Sequence, residues 1–232
     1  MKWVNPAASA LAWSGEISNY DAKLEIAKKV ARKANDGDVI GAGSGSTSYL
    51  TLQEIARRVK DDGLKCRIVP TSREIEMAAG ILGLQSSSLL TEKPDWYFDG
   101  ADEVDPAGNL IKGRGGAMFR EKLVMRSAKK TYILVDPTKF VDGLGAKFPV
   151  PVEVCQDALH YVEESLQALG TRKTELRLAK KKDGPVVTES GNFIIDVEFS
   201  KIDAGTEAAI KKITGVVESG LFWGYTPEIV SN

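Results

Sequence analysis

At roughly 150 residues per domain, a chain of 232 residues predicts one large domain or a large one carrying a small one. Its 31 Lys and Arg against 32 Asp and Glu leave a net charge of −1, so there is no global positive field for nucleic acid or an anionic membrane, and any anion site must be local. No apolar run approaches a membrane-spanning length, and Lys2 and the Asn5-Pro6 break interrupt the start where a signal peptide would be continuous, so a soluble, unexported, cytoplasmic protein is expected.

From Tyr20 onward helix-like and strand-like segments alternate, which predicts an α/β fold with a parallel sheet covered by helices. Leu24, Ala27, Val30 and Ala31 recur at helical spacing, giving a helix from Asp21 to Ala34 that Asn35-Asp36-Gly37 stops. A short strand from Asp38 to Ala42 leads through Gly43-Ser-Gly-Ser-Thr47 into a second helix carrying Leu52, Ile55, Ala56 and Val59. Further strands are expected at Arg67–Val69, Trp96–Phe98 and Tyr132–Val135, each a continuous apolar run of the kind buried on both faces. Each of the four strands is followed by small or polar residues: Gly43–Thr47, Thr71–Arg73, Asp99–Asp102 and Asp136–Lys139. In an open parallel sheet these loops converge at one edge, where ligands bind.

After Phe148-Pro-Val-Pro151 the texture changes. Strands at Val152–Cys155, Glu175–Leu178, Pro185–Thr188, Phe193–Phe199 and Val216–Glu218, with helices at Ala158–Leu169 and Gly205–Ile213, read as a small α+β unit with antiparallel pairing. The expected division is residues 1–148 and 220–232 in a Rossmann-like domain and 149–219 in the smaller one. Lys180-Lys-Lys-Asp-Gly184 reads as a solvated hairpin turn.

Residue counts narrow the chemistry. A single histidine, His160, excludes multi-His metal sites and argues against a His-based nucleophile triad; on its helical stretch it reads as structural or solvent-facing. Cys66 and Cys155 form no disulfide framework or zinc site and are expected as buried thiols. Carboxylates and lysines are left to move protons.

Gly41-Ala-Gly-Ser-Gly-Ser-Thr47, between a strand and a helix, suits a phosphate: glycines let backbone amides turn toward it, and the helix N-terminus favours negative charge. A structural turn fits the same residues, and so does an NADP site using Arg73, although the acid a dinucleotide site needs at the next strand end is replaced by Thr71-Ser72-Arg73. Asp99-Gly-Ala-Asp-Glu103 gathers three acids in five residues, which calls for a nearby cation, either a metal or a lysine. Lys112-Gly-Arg-Gly-Gly116 supplies one; the plainer alternatives are that Asp102 caps a turn and Lys112 is a surface charge. On the helix expected at Ala117–Ala128, Glu121 shares a face with Ala117, Val124, Met125 and Ala128, while Lys122 and Arg126 point away. A carboxylate on an apolar face resists ionisation and suits a general base; a surface Glu paired with lysine fits the spacing too.

Seven motifs occur together in one order: Gly43–Thr47, Asp99–Glu103, Lys112–Ala117, Arg120-Glu-Lys122, Asp136-Pro-Thr-Lys139, Lys147–Glu153 and Gly215–Phe222. In that order the chain resembles ribose-5-phosphate isomerase of the A type from about residue 20 to 222. The resemblance implies interconversion of ribose 5-phosphate and ribulose 5-phosphate, in the pentose phosphate pathway, without metal or cofactor. It implies a Rossmann-like domain bearing a small ferredoxin-like domain, assembled as a homodimer or homotetramer, with a sugar phosphate and neither nucleic acid nor membrane as partner. It further implies Glu121 as the general base through a cis-enediolate, with Asp99, Asp102 and Lys112 holding sugar hydroxyls, assisting ring opening and steadying the oxyanion. Lys23, Ser44, Gly45, Ser46, Thr47 and Lys139 match phosphate-pocket positions, and Gly113 and Gly115 belong to the substrate loop. A non-catalytic sugar-phosphate sensor on the same fold, or an isomerase of another sugar phosphate, are the alternatives. The chain departs from the pattern at Ser44, where threonine is common, at Arg114, which interrupts a glycine run, and at Cys155-Gln156-Asp157, where a proline turn is usual. Residues 1–16 extend the usual start, and the stretch after Phe222 predicts an abbreviated closing strand.

Overall fold

The computed structural model describes residues 16–232, so the N-terminal extension lies, but for Glu16, outside the described residues. The chain divides into two compact units. The first contains the described residues up to Gly100 with Leu123–Pro137 and Glu228–Asn232; the second contains Ala101–Lys122 and Thr138–Pro227.

The first unit is built on a six-stranded sheet of β1 (Val39–Ala42), β2 (Arg67–Pro70), β3 (Gln85–Ser86), β4 (Trp96–Gly100), β7 (Thr131–Leu134) and β13 (Glu228–Val230). Its spatial order is β13-β7-β4-β1-β2-β3 and every pairing is parallel. Read from the other edge, this is the doubly wound order in which the chain runs outward from β1 to β3 and then returns to lay β4 on the opposite side of β1. The four expected strand runs supply β1, β2, β4 and β7, β3 is an addition to them, and Glu228–Val230 pairs with β7 at the sheet edge.

Helix α1 (Tyr20–Ala31) buries Ala27, Val30 and Ala31 of the expected stripe together with Ile26, while Leu24 is half-buried, and it packs against α2 (Ser46–Asp61). It ends three residues before the expected Ala34, because the amides of Lys33 and Ala34 bond back three residues, to Val30 and Ala31, and tighten the last turn. Helix α3 (Arg73–Ile81) follows β2 where the sequence predicts only the loop Thr71–Arg73. Its signals are a Ser72 cap accepting from the Ile75 amide at 3.3 Å and apolar Ile75, Ala78 and Ala79. Ile40, Leu52, Ile55, Ile68, Ile75 and Phe98 are wholly buried in this core. At about 1.5–3 kcal/mol per such side chain, burial rather than helix propensity holds α1–α3 on the sheet.

The second unit contains the strands β5 (Glu103–Val104), β6 (Leu110–Ile111), β8 (Val150–Val154), β9 (Thr171–Leu176), β10 (Phe193–Phe199), β11 (Val216–Ser219) and β12 (Leu221–Phe222). They form a four-stranded antiparallel sheet in the order β11-β8-β10-β9 and a three-stranded sheet in the order β12-β6-β5. Helices α5 (Leu159–Gln167) and α6 (Thr206–Lys211) accompany them, each shorter than expected, and α4 (Met118–Ser127) begins here and ends in the first unit. Val150, Val152, Val154, Val162, Leu166, Ile195, Val197 and Ile210 form its apolar core.

Several expectations meet different outcomes. Residues 101–122, 138–148 and 220–227 group with the α+β unit, where the expected division assigned them to the Rossmann-like part. The tie is chemical: the Glu103 carboxylate accepts the backbone amides of Gly145, Lys147 and Phe148, and β6 pairs β12. The strand expected at Pro185–Thr188 is reduced to one bridge between Leu178 and Pro185, because Thr188 Oγ1 accepts the Ser190 and Asn192 amides and turns the chain. Lys180–Gly184 is the turn expected, closed by the Ala179 amide on the Gly184 carbonyl at 3.0 Å. Cys66 is buried but Cys155 is exposed, at the entry to a 3-10 turn (Gln156–Ala158) that bends the chain without proline. His160 is exposed. No helix among the described residues is long and apolar enough to cross a membrane.

Candidate active site

In a sheet of this order the ligand crevice lies outside the carboxyl ends of β1 and β4, where the chain changes direction. The first unit places the Gly43–Thr47 loop and Asp99 there. Gly43 leaves β1 so close to Asp99 at the end of β4 that a Cβ on it would fall 2.0 Å from the Asp99 carboxyl carbon; only glycine fits. Asp99 is 1% exposed and accepts from the Gly100 amide at 2.7 Å, from Ser48 Oγ at 3.5 Å and from the Tyr97 hydroxyl.

Gly45, at φ +93°, turns the chain into α2 without a side-chain cap. By helix geometry the amides of Ser46, Thr47 and Ser48 have no acceptor within the helix, and the dipole adds partial positive charge. Lys23, buried on α1, brings its ammonium to 3.1 Å from Ser46 Oγ and 3.3 Å from Ser18 Oγ. A buried lysine, a hydroxyl and a helix N-terminus at one point suit a dianionic phosphate. Ser44 has a different engagement, its hydroxyl lying 2.9 Å from Ser72 Oγ and 3.1 Å from Thr71 Oγ1, so it ties the loop to the end of β2. Thr71 and Ser72, expected only as part of a loop at the ligand edge, are thus supports for the Gly43–Thr47 turn. Arg73, the residue an NADP site would use, is exposed and pairs with Glu76.

The second unit holds the other cluster. Lys112 Nζ lies 3.2 Å from Glu121 Oε2, and the two residues are 3% and 4% exposed. The Lys112 main chain is fixed by its amide on the Gly220 carbonyl at 2.8 Å. Asp102 Oδ2 accepts the Arg114 amide at 3.2 Å. Burial pushes the Asp102 carboxyl above its ordinary range, against the opposing pull of Lys112, the Arg114 amide, Lys139 and the Arg114 charge. Lys139, half-buried, stacks its ammonium 5.3 Å from the Phe148 ring. Gly113 is buried while Arg114 and Gly115 are exposed.

The three acids of 99–103 therefore take separate work: Asp99 and Asp102 face hydroxyl, amide and lysine partners, and Glu103 latches a loop. Among the described residues no group of three or more His, Cys, Asp or Glu could hold a metal ion. On α4, Glu121, Val124 and Met125 are buried as expected, but Lys122 is buried too. Its ammonium sits 2.6 Å from Glu207 and 2.9 Å from Glu218, donates to the Leu221 carbonyl at 2.8 Å and lies over the Phe222 ring. Periodicity counts lysine as surface, and its two acids come from distant segments, so only the Glu218 in the Gly215–Phe222 motif hinted at it.

Residues 67–232 match the family described as ribose 5-phosphate isomerase A (phosphoriboisomerase A). The chain is 42% identical over 211 residues to ribose-5-phosphate isomerase A of Methanothermobacter thermautotrophicus, covering 90% of this chain and 92% of that protein. With the Synechococcus sp. protein of the same name it shares 45% identity over 208 residues, 88% of this chain and 89% of the relative. The solved ribose 5-phosphate isomerase A of Methanocaldococcus jannaschii superposes with a TM-score of 0.88 at 39% identity, over 93% of this chain and 96% of that one. A D-ribose-5-phosphate isomerase in complex with phospho-erythronic acid gives a TM-score of 0.86 at 38% identity, over 90% and 93% of the two chains. With the parallel sheet, the anion loop and the buried acid–lysine pair in place, the chain belongs to the ribose 5-phosphate isomerase A family.

Proposed function

We propose that this chain interconverts D-ribose 5-phosphate and D-ribulose 5-phosphate by proton transfer through an enediolate, a step of the non-oxidative pentose phosphate pathway. The observation that carries the reading is the buried Lys112–Glu121 pair at 3.2 Å. An aldose becomes a ketose when a base removes the C2 proton, the freed electron pair forms a C1–C2 double bond as the C1 oxygen takes the charge, the C2 hydroxyl proton passes to the C1 oxygen, and the base returns its proton to C1 as the C2 carbonyl forms. Glu121 is the base in this assignment, and Lys112 supplies fixed positive charge to the oxygen that becomes anionic. Asp99 and Asp102 accept hydrogen bonds from sugar hydroxyls and help the ring open. The phosphate goes to the α2 N-terminus with Lys23, Ser46 and Thr47, with Ser44 and Gly45 shaping the turn. Lys139 adds positive charge for the phosphate, and Gly113 and Gly115 let backbone approach the sugar. Every group is carried by the chain itself, so the reading needs no metal or cofactor.

A sensor for sugar phosphates would need the anion loop but gains nothing from a buried carboxylate paired with lysine. The same reading takes the working form as a cytoplasmic homodimer or homotetramer, which light scattering would check. The function itself is tested by following ketose formation from a panel of pentose and hexose aldose phosphates in the presence of EDTA. Rapid conversion of ribose 5-phosphate alone is the expected result; preference for another aldose phosphate, or loss of turnover on chelation, would overturn it.

A further inference from the structure

Arg177 follows β9, and its backbone is pinned on both sides, its amide donating to Ile194 O and its carbonyl accepting from Val186 N, each at 2.9 Å. Its guanidinium is forked onto Asp196, with Nε 2.8 Å from Oδ2 and Nη2 donating to Oδ1, and the two side chains are 17% and 19% exposed. Nη1 then donates to two consecutive main-chain carbonyls, Gly113 O and Arg114 O, at 2.9 Å each. The planar fork makes this possible: one edge grips the carboxylate while the remaining nitrogen reaches the loop.

The loop needs such a tie. Gly113 at φ +101° and Gly116 at φ +80° bracket a turn closed by the Gly116 amide on Gly113 O at 3.0 Å, and glycines in this region place little restraint of their own on the chain. The peptide unit gripped through Gly113 O is the one whose N–H, that of Arg114, donates to Asp102 Oδ2 at 3.2 Å. A trans peptide is planar, with C=O and N–H pointing opposite ways, so fixing the carbonyl fixes the direction of the amide. The residue on the other side of that glycine is Lys112.

Resting on the isomerase reading of the Lys112–Glu121 site, we propose that Arg177, clamped by Asp196, is a positioning residue for the reaction, holding the Gly113–Arg114 peptide so that Asp102 and Lys112 keep their working geometry. Lysine cannot replace it, because an ammonium is a point charge without the fork. The test uses the full chain with Arg177→Lys and, separately, Asp196→Asn, each checked for folding by thermal unfolding. The readouts are kcat and KM for ribose 5-phosphate and the hydrogen exchange of the Arg114 amide. Both variants are expected to fold, to lose about 10- to 100-fold in kcat with a smaller change in KM, and to lose protection of that amide. In an Asp102→Ala background, where nothing accepts the Arg114 amide, the effect of Arg177→Lys should shrink, because the route it acts through is already cut. A folded Arg177→Lys with the parent kcat, or an effect that stays fully additive with Asp102→Ala, would overturn the proposal. A parent protein that fails to isomerise ribose 5-phosphate would overturn the functional reading, and this proposal with it.

Discussion

Lys112 Nζ and Glu121 Oε2 lie 3.2 Å apart, with 3% and 6% of their side chains exposed. Both come from one segment: Lys112 follows β6, a glycine-rich turn intervenes, and Glu121 sits in the first turn of α4. An ion pair this deep is a poor source of stability, because desolvation offsets the attraction. An acid and a cation side by side away from water suit the proton transfer proposed above.

Removing one member should therefore be costly. Lys112→Met leaves the Glu121 charge without its partner and is expected to destabilise the fold by about 3–5 kcal/mol in urea unfolding. Lys112→Met combined with Glu121→Gln should recover much of that loss. A double variant no more stable than Lys112→Met alone would mean that the two side chains are not energetically coupled.

The anion loop yields a binding prediction. Replacing Lys23 by Met, or Ser46 by Ala together with Thr47 by Val, removes groups that would contact the phosphate in ground and transition states alike. KM should rise about 10- to 100-fold with little change in kcat. An unchanged KM in steady-state assays would place the phosphate elsewhere.

How much of this was legible beforehand depended on the kind of signal. The β1–α2 loop, the buried face of α4 carrying Glu121 and the alternation that predicts a parallel sheet are local patterns, and all three appear in the structure. Helix α3 and the burial of Lys122 were not legible. The nine-residue α3 announces itself mainly through the Ser72 cap. Lys122 becomes internal only when α6 and β11 deliver Glu207 and Glu218, which lie 85 and 96 residues away. The compact units divide the chain differently from the expected domains for the same reason: Glu103 and β6 make their attachments to residues 145–148 and 221–222, pairings that no window of sequence displays.

The Lys122 network carries a pH signature. Burial alone would raise the Glu218 carboxyl, but the charge and hydrogen bond of Lys122, the Ser219 amide and Lys211 outweigh it and hold it below its ordinary value of 4.5. A carboxyl lowered in the folded state contributes stability above its unfolded value, and that stability is lost as pH falls through the folded value. Glu218→Gln should therefore be less stable than the parent at neutral pH, with the gap closing below about pH 4.5. Urea midpoints across that range check it, and a gap that widened in acid would contradict the assignment.

Gly43→Ala tests the junction of β1 and β4. Its Cβ would fall 2.0 Å from the Asp99 carboxyl carbon, so the strand end or the acid must move. Overpacking of this kind costs about 1–3 kcal/mol, and turnover should drop with it because Asp99 is displaced. A variant with unaltered melting temperature and kcat would show that the approach is looser than drawn.

The most direct test is the turnover of ribose 5-phosphate by Glu121→Gln at matched folded concentration. The variant keeps the size of the side chain but cannot take a proton, so kcat should fall by about 100-fold or more while KM changes modestly. Near-parental kcat in a folded Glu121→Gln protein would contradict the account, because the proton would then be travelling by some other group.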